Sequence, residues 1–348
     1  MTNKITVAAA HLAPVYLDAQ ATVDKACAYI HKAAVEGVQL IAFPESFVPG
    51  FPLWPALTAP IYNHDLFKRF AGQSLRVPGP EIVKICTAAR DTGMIVSIGI
   101  SESAEHSVGC IWNTNLLIGG DGGILNHHRK LVPTFYEKLI WANGDGAGLR
   151  VVDTPIGRVG ALICGENTNP LARYSLMAQG EQLHISSYPP VWPTHDPAAN
   201  DRYDLASAIR IRAGAHSFEA KVFNIVAAAR LDQSAFDAMA GLDEEALRVM
   251  KESPKGVSMI LGPSGLPVAE ISADEDQLLI ERIDLSDCVV PKQFHDVTGY
   301  YNRFDVFGFS VDRRERAPAT FEDPAEAPRA MNYEDMESLA TEGVRRVS

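Results

Sequence analysis

The feature that most constrains this chain is a repeated pairing of a short apolar run with a stretch whose apolar residues recur at helical spacing. Ile5–Ala10 is such a run, and it is followed by Asp18–Glu36, in which Val23, Cys27, Ile30 and Ala34 return every three or four residues. Gly37 stands where a helix C-terminus favours a left-handed residue. Val38–Phe43 reads as the next strand. Pro80–Thr92 reads as a helix with Pro and Glu in its first turn and Gly93 behind it. Met94–Ser101 and Ile111–Ile118 read as strands, Gly119-Gly-Asp-Gly-Gly123 as a turn, and Ile124–His128 as the return strand. Past Asp145 the pattern repeats: strands at Val151–Asp153, Arg158–Ile163, Gln182–Ser187 and Val222–Ala229, with helices at Pro170–Gln179 and Asn200–Ala220. Met259–Leu261, Val268–Ile271 and Leu278–Asp284 read as a closing antiparallel set. Alternation early and hairpins late predict an α/β chain whose mixed sheet is covered by helices.

Composition narrows the function. Of 348 residues, 47% are hydrophobic and 21% charged, the balance of a globular protein. The formal net charge of −12 repels phosphate backbones and anionic lipid, which argues against nucleic acid or a membrane surface as partner. No run approaches the roughly 18 apolar residues a membrane span needs. No leader-like segment opens the chain, so a cytoplasmic location is expected. The five cysteines (27, 86, 110, 164 and 288) form no CxxC, and no His pair has zinc-ligand spacing, so neither a disulfide framework nor a structural metal is expected. Gly119–Gly123 lacks the Lys-Ser/Thr of a phosphate loop and reads as a hairpin turn. His127 and His128 face opposite sides of a strand and cannot share one metal. After Asp312 large apolar residues thin out, which divides the chain into a 1–311 domain and a 312–348 tail, disordered or docked on a partner subunit.

Chemistry is expected at strand ends, where a rigid strand meets an open loop. Cys164 ends the run Val159–Ile163 and is followed by small and polar residues rather than apolar ones. Taken alone, a cysteine there is more often a small packing residue than a nucleophile; Cys27, Cys86, Cys110 and Cys288 are read as packing residues. Glu45 ends Leu-Ile-Ala-Phe-Pro, an odd place for a carboxylate unless something uses it, and Lys130 closes the strand after the glycine turn. A thiol, an ammonium and a carboxylate are the parts needed to attack an electrophilic carbon: the cation favours thiolate and steadies developing charge, and the carboxylate moves protons. Trp54, Tyr188 and Trp192 fall in or beside loops near these strand ends and are candidate pocket residues.

Four segments, in order, resemble the nitrilase branch of the carbon–nitrogen hydrolase superfamily. They are Phe43-Pro-Glu-Ser-Phe-Val-Pro-Gly-Phe-Pro-Leu-Trp54; His128-Arg-Lys-Leu-Val-Pro-Thr134 with Glu137 and Trp141; Gly160-Ala-Leu-Ile-Cys-Gly-Glu-Asn-Thr-Asn-Pro-Leu-Ala-Arg173; and His295-Asp-Val-Thr-Gly-Tyr-Tyr-Asn-Arg-Phe-Asp305. The likeness spans Ile5 to about Val311. It implies a four-layer αββα sandwich, a Glu45–Lys130–Cys164 triad with Glu137 as second glutamate, hydrolysis of a small-molecule nitrile to acid and ammonia through a thioimidate and a thioester, and no metal or organic cofactor. It also implies assembly into a homodimer or larger homo-oligomer. An amidase using the same triad on a carboxamide, or a non-catalytic scaffold, are the alternatives; the intact triad argues against the scaffold, and the Glu-Asn after the nucleophile favours the nitrile. Two positions depart from the family pattern: Gly165 replaces the Trp that usually follows the nucleophile, and Tyr300 replaces a His. Gly165 is therefore expected to open the pocket wall to a bulkier nitrile.

Overall fold

A computed structural model of the chain describes residues 4–319 and 332–338. Twelve strands are formed among them: β1 (Lys4–His11), β2 (Leu40–Ala42), β3 (Ile95–Ser103), β4 (Ile111–Ile118), β5 (Ile124–Arg129), β6 (Val152–Thr154), β7 (Gly157–Ile163), β8 (Leu183–Tyr188), β9 (Phe223–Ala228), β10 (Ser258–Leu261), β11 (Pro267–Ile271) and β12 (Gln277–Asp284). They make two six-stranded sheets, in the orders β12-β1-β2-β3-β4-β5 and β11-β10-β9-β8-β7-β6. Each is mixed, with a parallel centre (β1-β2-β3 and β7-β8-β9) and antiparallel flanks.

Strand periodicity explains the layering. In β1, Val7 and Ala9 point one way and Ala8 and Ala10 the other, yet all four are buried. The first pair joins Leu40, Ile95, Val159, Ile185 and Ile225 in a core between the two sheets. The second pair joins Ile41, Val96 and Ile98 against Val23 and Ile30 of the helix Ala19–Val35 and Ile82 and Ile85 of the helix Pro80–Thr92. On the far side of the second sheet, Val226 and Met259 pack against Ile209 and Ala213 of the helix Leu205–Ala220. Helices, sheet, sheet, helices: the order is the αββα sandwich that the resemblance implies.

The helix ends follow local chemistry. Asp18 accepts from Ala21 N at the start of the first long helix, and Gly93 adopts φ 66° after the second. The structure differs from the sequence reading in how the strands are assembled and in several helices. One mixed sheet is in fact two. β12 does not close a hairpin set with β10 and β11; it crosses to the other sheet and pairs antiparallel with β1, from Lys4↔Asp284 to His11↔Gln277. Sheet membership is a non-local choice that an apolar run cannot announce. Helices at His64–Gln73, Gln233–Ala238 and Glu244–Glu252 lie in stretches left unassigned, and Asn200–Asp204 lies outside the helix expected to include it, Asp204 being its cap. The chain divides into a compact unit, Met1–Arg314, and a second, Glu315–Ser348, of which 315–319 and a helical stretch at 333–338 are described. The expected disorder or docking of the 312–348 tail falls largely outside the described residues.

Candidate active site

Three strand ends and one short turn converge. Pro44 and Glu45 follow β2, and the segment Pro44–Ser46 lies so close to β3 that a Cβ on Gly99 would sit 2.3 Å from Pro44 O and 2.6 Å from Ser46 N. Glycine at 99 is therefore what lets Glu45 lie against the neighbouring strand. Lys130 follows β5, its N–H donating to Asn113 O at 2.7 Å. Glu137 sits on the short 3-10 turn Phe135–Leu139, whose cap Thr134 bonds Glu137 from both ends of the turn: Thr134 N donates to Glu137 Oε2 at 2.8 Å, and the Thr134 hydroxyl accepts from the Glu137 backbone. Cys164 opens a 3-10 turn, Cys164–Thr168, with φ 47°, a left-handed value unusual for a side-chain-bearing residue and common where function demands a sharp turn.

These residues meet in one buried cluster. Lys130 Nζ donates to Glu45 Oε1 at 2.8 Å and to Glu137 Oε2 at 2.6 Å, with both side chains of each pair wholly inaccessible. Ligating atoms of Glu45, Glu137 and Cys164 all lie within 4.8 Å of one another. That is also the spacing of a metal site, but the cation holding the two carboxylates is the ammonium itself. Asn113 Nδ2 donates to Glu45 Oε1 at 2.8 Å, leaving Glu45 Oε2 and Glu137 Oε1 buried without a partner among the described residues. Asn113 escaped the sequence reading; the signal was an amide inside the otherwise apolar strand Ile111–Ile118.

Burial sets the protonation. It raises the Glu45 carboxyl to about 7, against the pull of Lys130 and with a push from Glu137. Burial opposes the Lys130 charge, but Glu137 and Glu45 outweigh it and hold the ammonium above its ordinary range. The Cys164 thiol is pushed well up, by burial first and by Glu45 second, with Lys130 opposing. The resting site thus holds a thiol beside a carboxyl able to take its proton and a fixed positive charge.

The other candidates are placed as follows. Tyr188 is fully buried in the cluster that contains Cys164, its hydroxyl without a partner among the described residues. Half-buried Trp192 packs against the same cluster and stacks on Tyr136 at 5.6 Å. Trp54 is buried in a separate aromatic group, edge-on to Phe70 at 5.3 Å, in the cluster that holds Tyr136 and Trp141. At half-buried Gly165 the direction a side chain would take is occupied: a Cβ there would lie 2.6 Å from Thr134 Oγ1. The expectation of a roomier wall is therefore revised, because the cap of the Glu137 turn fills the place. His127 and His128 do face apart, the first bonding Glu102 at 2.8 Å and the second Glu166 at 2.9 Å. The Tyr300 hydroxyl donates to carbonyls at 293 and 294.

Comparison with known proteins agrees with this architecture. Residues 6–292 match the model of the carbon-nitrogen hydrolase family. The chain is 33% identical to Nitrilase 2 of an unknown prokaryotic organism, over 92% of this chain and 96% of that one. It is 32% identical to an arylacetonitrilase of Hypocrea virens (94% and 97%) and 33% identical to an aliphatic nitrilase of Rhodococcus rhodochrous (91% and 85%). Among solved structures, the fold is similar to the NitFhit protein of C. elegans, with TM-score 0.67 at 19% identity over 91% of this chain and 69% of that one. It is also similar to an amidase from Nesterenkonia sp. AN1, described with covalent addition at its active-site cysteine, with TM-score 0.61 at 19% identity over 82% and 92%. On sequence match and fold together, the chain belongs to the carbon–nitrogen hydrolase family.

Proposed function

We propose that the protein is a nitrilase, hydrolysing a small organic nitrile to the carboxylic acid and ammonia with Cys164 as nucleophile, Glu45 as proton carrier, Lys130 as fixed charge and Glu137 as the group that holds Lys130. The observation that carries this reading is the single buried cluster of those four residues, reinforced by nitrilases being the relatives matched over nearly the whole chain.

In the first step the thiol proton passes to Glu45 as sulfur attacks the nitrile carbon, and nitrogen takes a proton, giving a covalent thioimidate. Water, activated by Glu45, adds to that carbon. Collapse with nitrogen leaving as ammonia gives a thioester, and a second water releases the acid and restores the thiol. Two waters are consumed and one ammonia is released, with no net redox change. Lys130 stabilises negative charge as it develops, in a dry site where such charge is worth most. If the tetrahedral adduct instead expels sulfur, an amide is released, so a minor amide product accompanies the acid. No metal or organic cofactor enters the scheme.

Tyr188 and Trp192, packed beside Cys164, are proposed pocket residues; Trp54 shapes the aromatic group behind Tyr136, and Gly165 contributes backbone only. An arylacetonitrilase and an aliphatic nitrilase are matched at nearly equal identity, so the proposed substrate class is defined by the cyano group. We further propose the 1–311 catalytic domain with a separate 312–348 tail, a cytoplasmic setting in keeping with five free cysteines, and assembly into a homodimer or larger. Exposed Leu171, Ile211 and Phe218, on the helices outside the second sheet, support the assembly. The deciding experiment is ammonia release from a panel of nitriles and the matching carboxamides. Turnover of carboxamides alone would replace this reading by an amidase, and turnover of neither would remove both.

A further inference from the structure

Several buried polar side chains on and beside the second sheet have no part in the scheme above, and they form one continuous chain. Asn167, three residues past the nucleophile, donates its Nδ2 to Leu162 O and Cys164 O, each at 3.2 Å. That fixes the amide, because the flipped orientation would press Oδ1 against two carbonyl oxygens. Asn167 Oδ1 must then be an acceptor, and it faces His184 Nε2 at 2.9 Å and Ser186 Oγ at 3.2 Å. On its other side His184 Nδ1 lies 2.7 Å from Glu181 Oε1. His184 thus bridges two oxygens, Asn167 Oδ1 on one side and Glu181 Oε1 on the other. Glu181 is a carboxylate: burial opposes the charge, but His184 and His216 hold its carboxyl down to about 2. His216 donates to Glu181 Oε2 at 2.7 Å and stacks on His184 at 3.7 Å. Burial first and the adjacent His184 ring second lower His216 to about 4, against the pull of Glu181. Gly160 makes room for this, since a Cβ there would sit 2.2 Å from Glu181 Oε1.

The chain ends on the strained residue. Cys164 holds φ 47°, and a left-handed side-chain-bearing residue persists only where its surroundings over-determine it. Asn167 holds the carbonyls of Leu162 and Cys164, while Glu166 accepts from Ile163 N at 2.8 Å and Leu131 N at 2.7 Å. We propose that Glu181, His184 and Asn167 form a buried charged brace whose work is to fix the Cys164 elbow, so that the thiol faces Glu45 and Lys130. They are positioning residues, and the inference rests on Cys164 being the nucleophile. Glu181, His184 and His216 also have ligand atoms within 4.8 Å of one another, but a metal there would have to break the hydrogen bonds that tie both rings to Glu181.

Three graded variants test it: Asn167→Leu removes the clamp, His184→Gln keeps a donor and loses the ring that bridges Glu181 and Asn167, and Ser186→Ala removes one donor to Asn167. Ile30→Val, in the helix on the opposite side of the molecule, serves as a control for simple loss of stability. The readouts are the rate of Cys164 alkylation by iodoacetamide, the thermal midpoint, kcat and KM on a nitrile the wild type accepts, and the metal content of the purified protein. The expected result is a drop of tenfold or more in alkylation rate and kcat for Asn167→Leu, with KM within threefold. His184→Gln should fall between it and wild type, Ser186→Ala should lose about threefold, and Ile30→Val should leave the alkylation rate unchanged at its lowered midpoint. Wild-type alkylation in any folded brace variant, losses that track the midpoint across all four proteins, or a stoichiometric metal would each overturn the brace. Alkylation needs no nitrile turnover, so a wild type inert towards nitriles would remove the nitrilase reading and leave this one standing.

Discussion

As the proposed nucleophile, Cys164 would work against its own environment: burial favours the protonated thiol, so the sulfur would have to lose its proton during attack, to a neighbour. Cys164→Ala should abolish ammonia release while the protein stays folded, and Cys164→Ser should be nearly as inactive because an alcohol ionises far less readily. Retention of more than a few per cent of activity in the alanine protein would exclude the covalent route. Glu45 gives the pH dependence. Its carboxyl is raised to about 7 and must be ionised to take a proton, so kcat/KM should rise with pH through about 7 and level off above it. A profile flat from pH 5 to 9 would show that Glu45 is not the base. Lys130 gives the charge dependence: Lys130→Met should lose about 10²–10³ in kcat, the usual effect of one preorganised donor. Lys130→Arg should fail as well, because a planar fork cannot fit where one nitrogen serves two carboxylates. Cys164 and Glu45 stand out in the sequence because a polar residue closing an apolar run is conspicuous, whereas Lys130 follows Asn126-His-His-Arg129 and is picked out by its place after the glycine turn and by the family resemblance. Asn113 and His184 do not stand out, because each lies inside a strand, where only the fold reveals what the side chain meets.

At the scale of elements, the site depends on two close approaches that glycine permits. Gly165 faces Thr134, whose backbone and hydroxyl both hold the turn that carries Glu137. A side chain at 165 should therefore act through Glu137 and Lys130 and not by filling a substrate pocket. Gly165→Ala is expected to lower kcat about tenfold, and Thr134→Ala, by removing the blocking oxygen, to recover part of that loss in the double variant; strictly additive losses would show that the two do not meet. Gly165→Trp should be worse than Gly165→Ala for every nitrile, large or small. The strands themselves were readable to within a residue or two, since most are short apolar runs bounded by Gly, Pro or a polar cap and β5 follows the glycine turn. The partner of β12 was not, because its register against β1 joins residues some 270 positions apart, and the short helices at 64–73, 233–238 and 244–252 follow from what they pack on.

For the whole molecule, the surface carries what the fold leaves uncovered. Leu171, Ile211 and Phe218 are 63%, 72% and 51% exposed, on the two helices that cover the second sheet. Ile211 and Phe218 are seven residues apart, so they share one face of their helix. Val290, Phe294, Tyr301, Phe304 and Phe307 add further exposed apolar side chains after the last strand. A net charge of −12 keeps copies apart in general, so association at this face has to come from apolar burial between matched surfaces. Light scattering behind size exclusion should give a mass of at least twice 37.8 kDa, little changed by salt because screening weakens repulsion and leaves apolar contact intact. Ile211→Glu combined with Phe218→Glu should place like charges across a two-fold contact and lower the mass without unfolding the chain, as far-ultraviolet circular dichroism would confirm. A wild type that runs as a monomer at tens of micromolar, or a double variant with unchanged mass, would show that this helical face is not where copies meet.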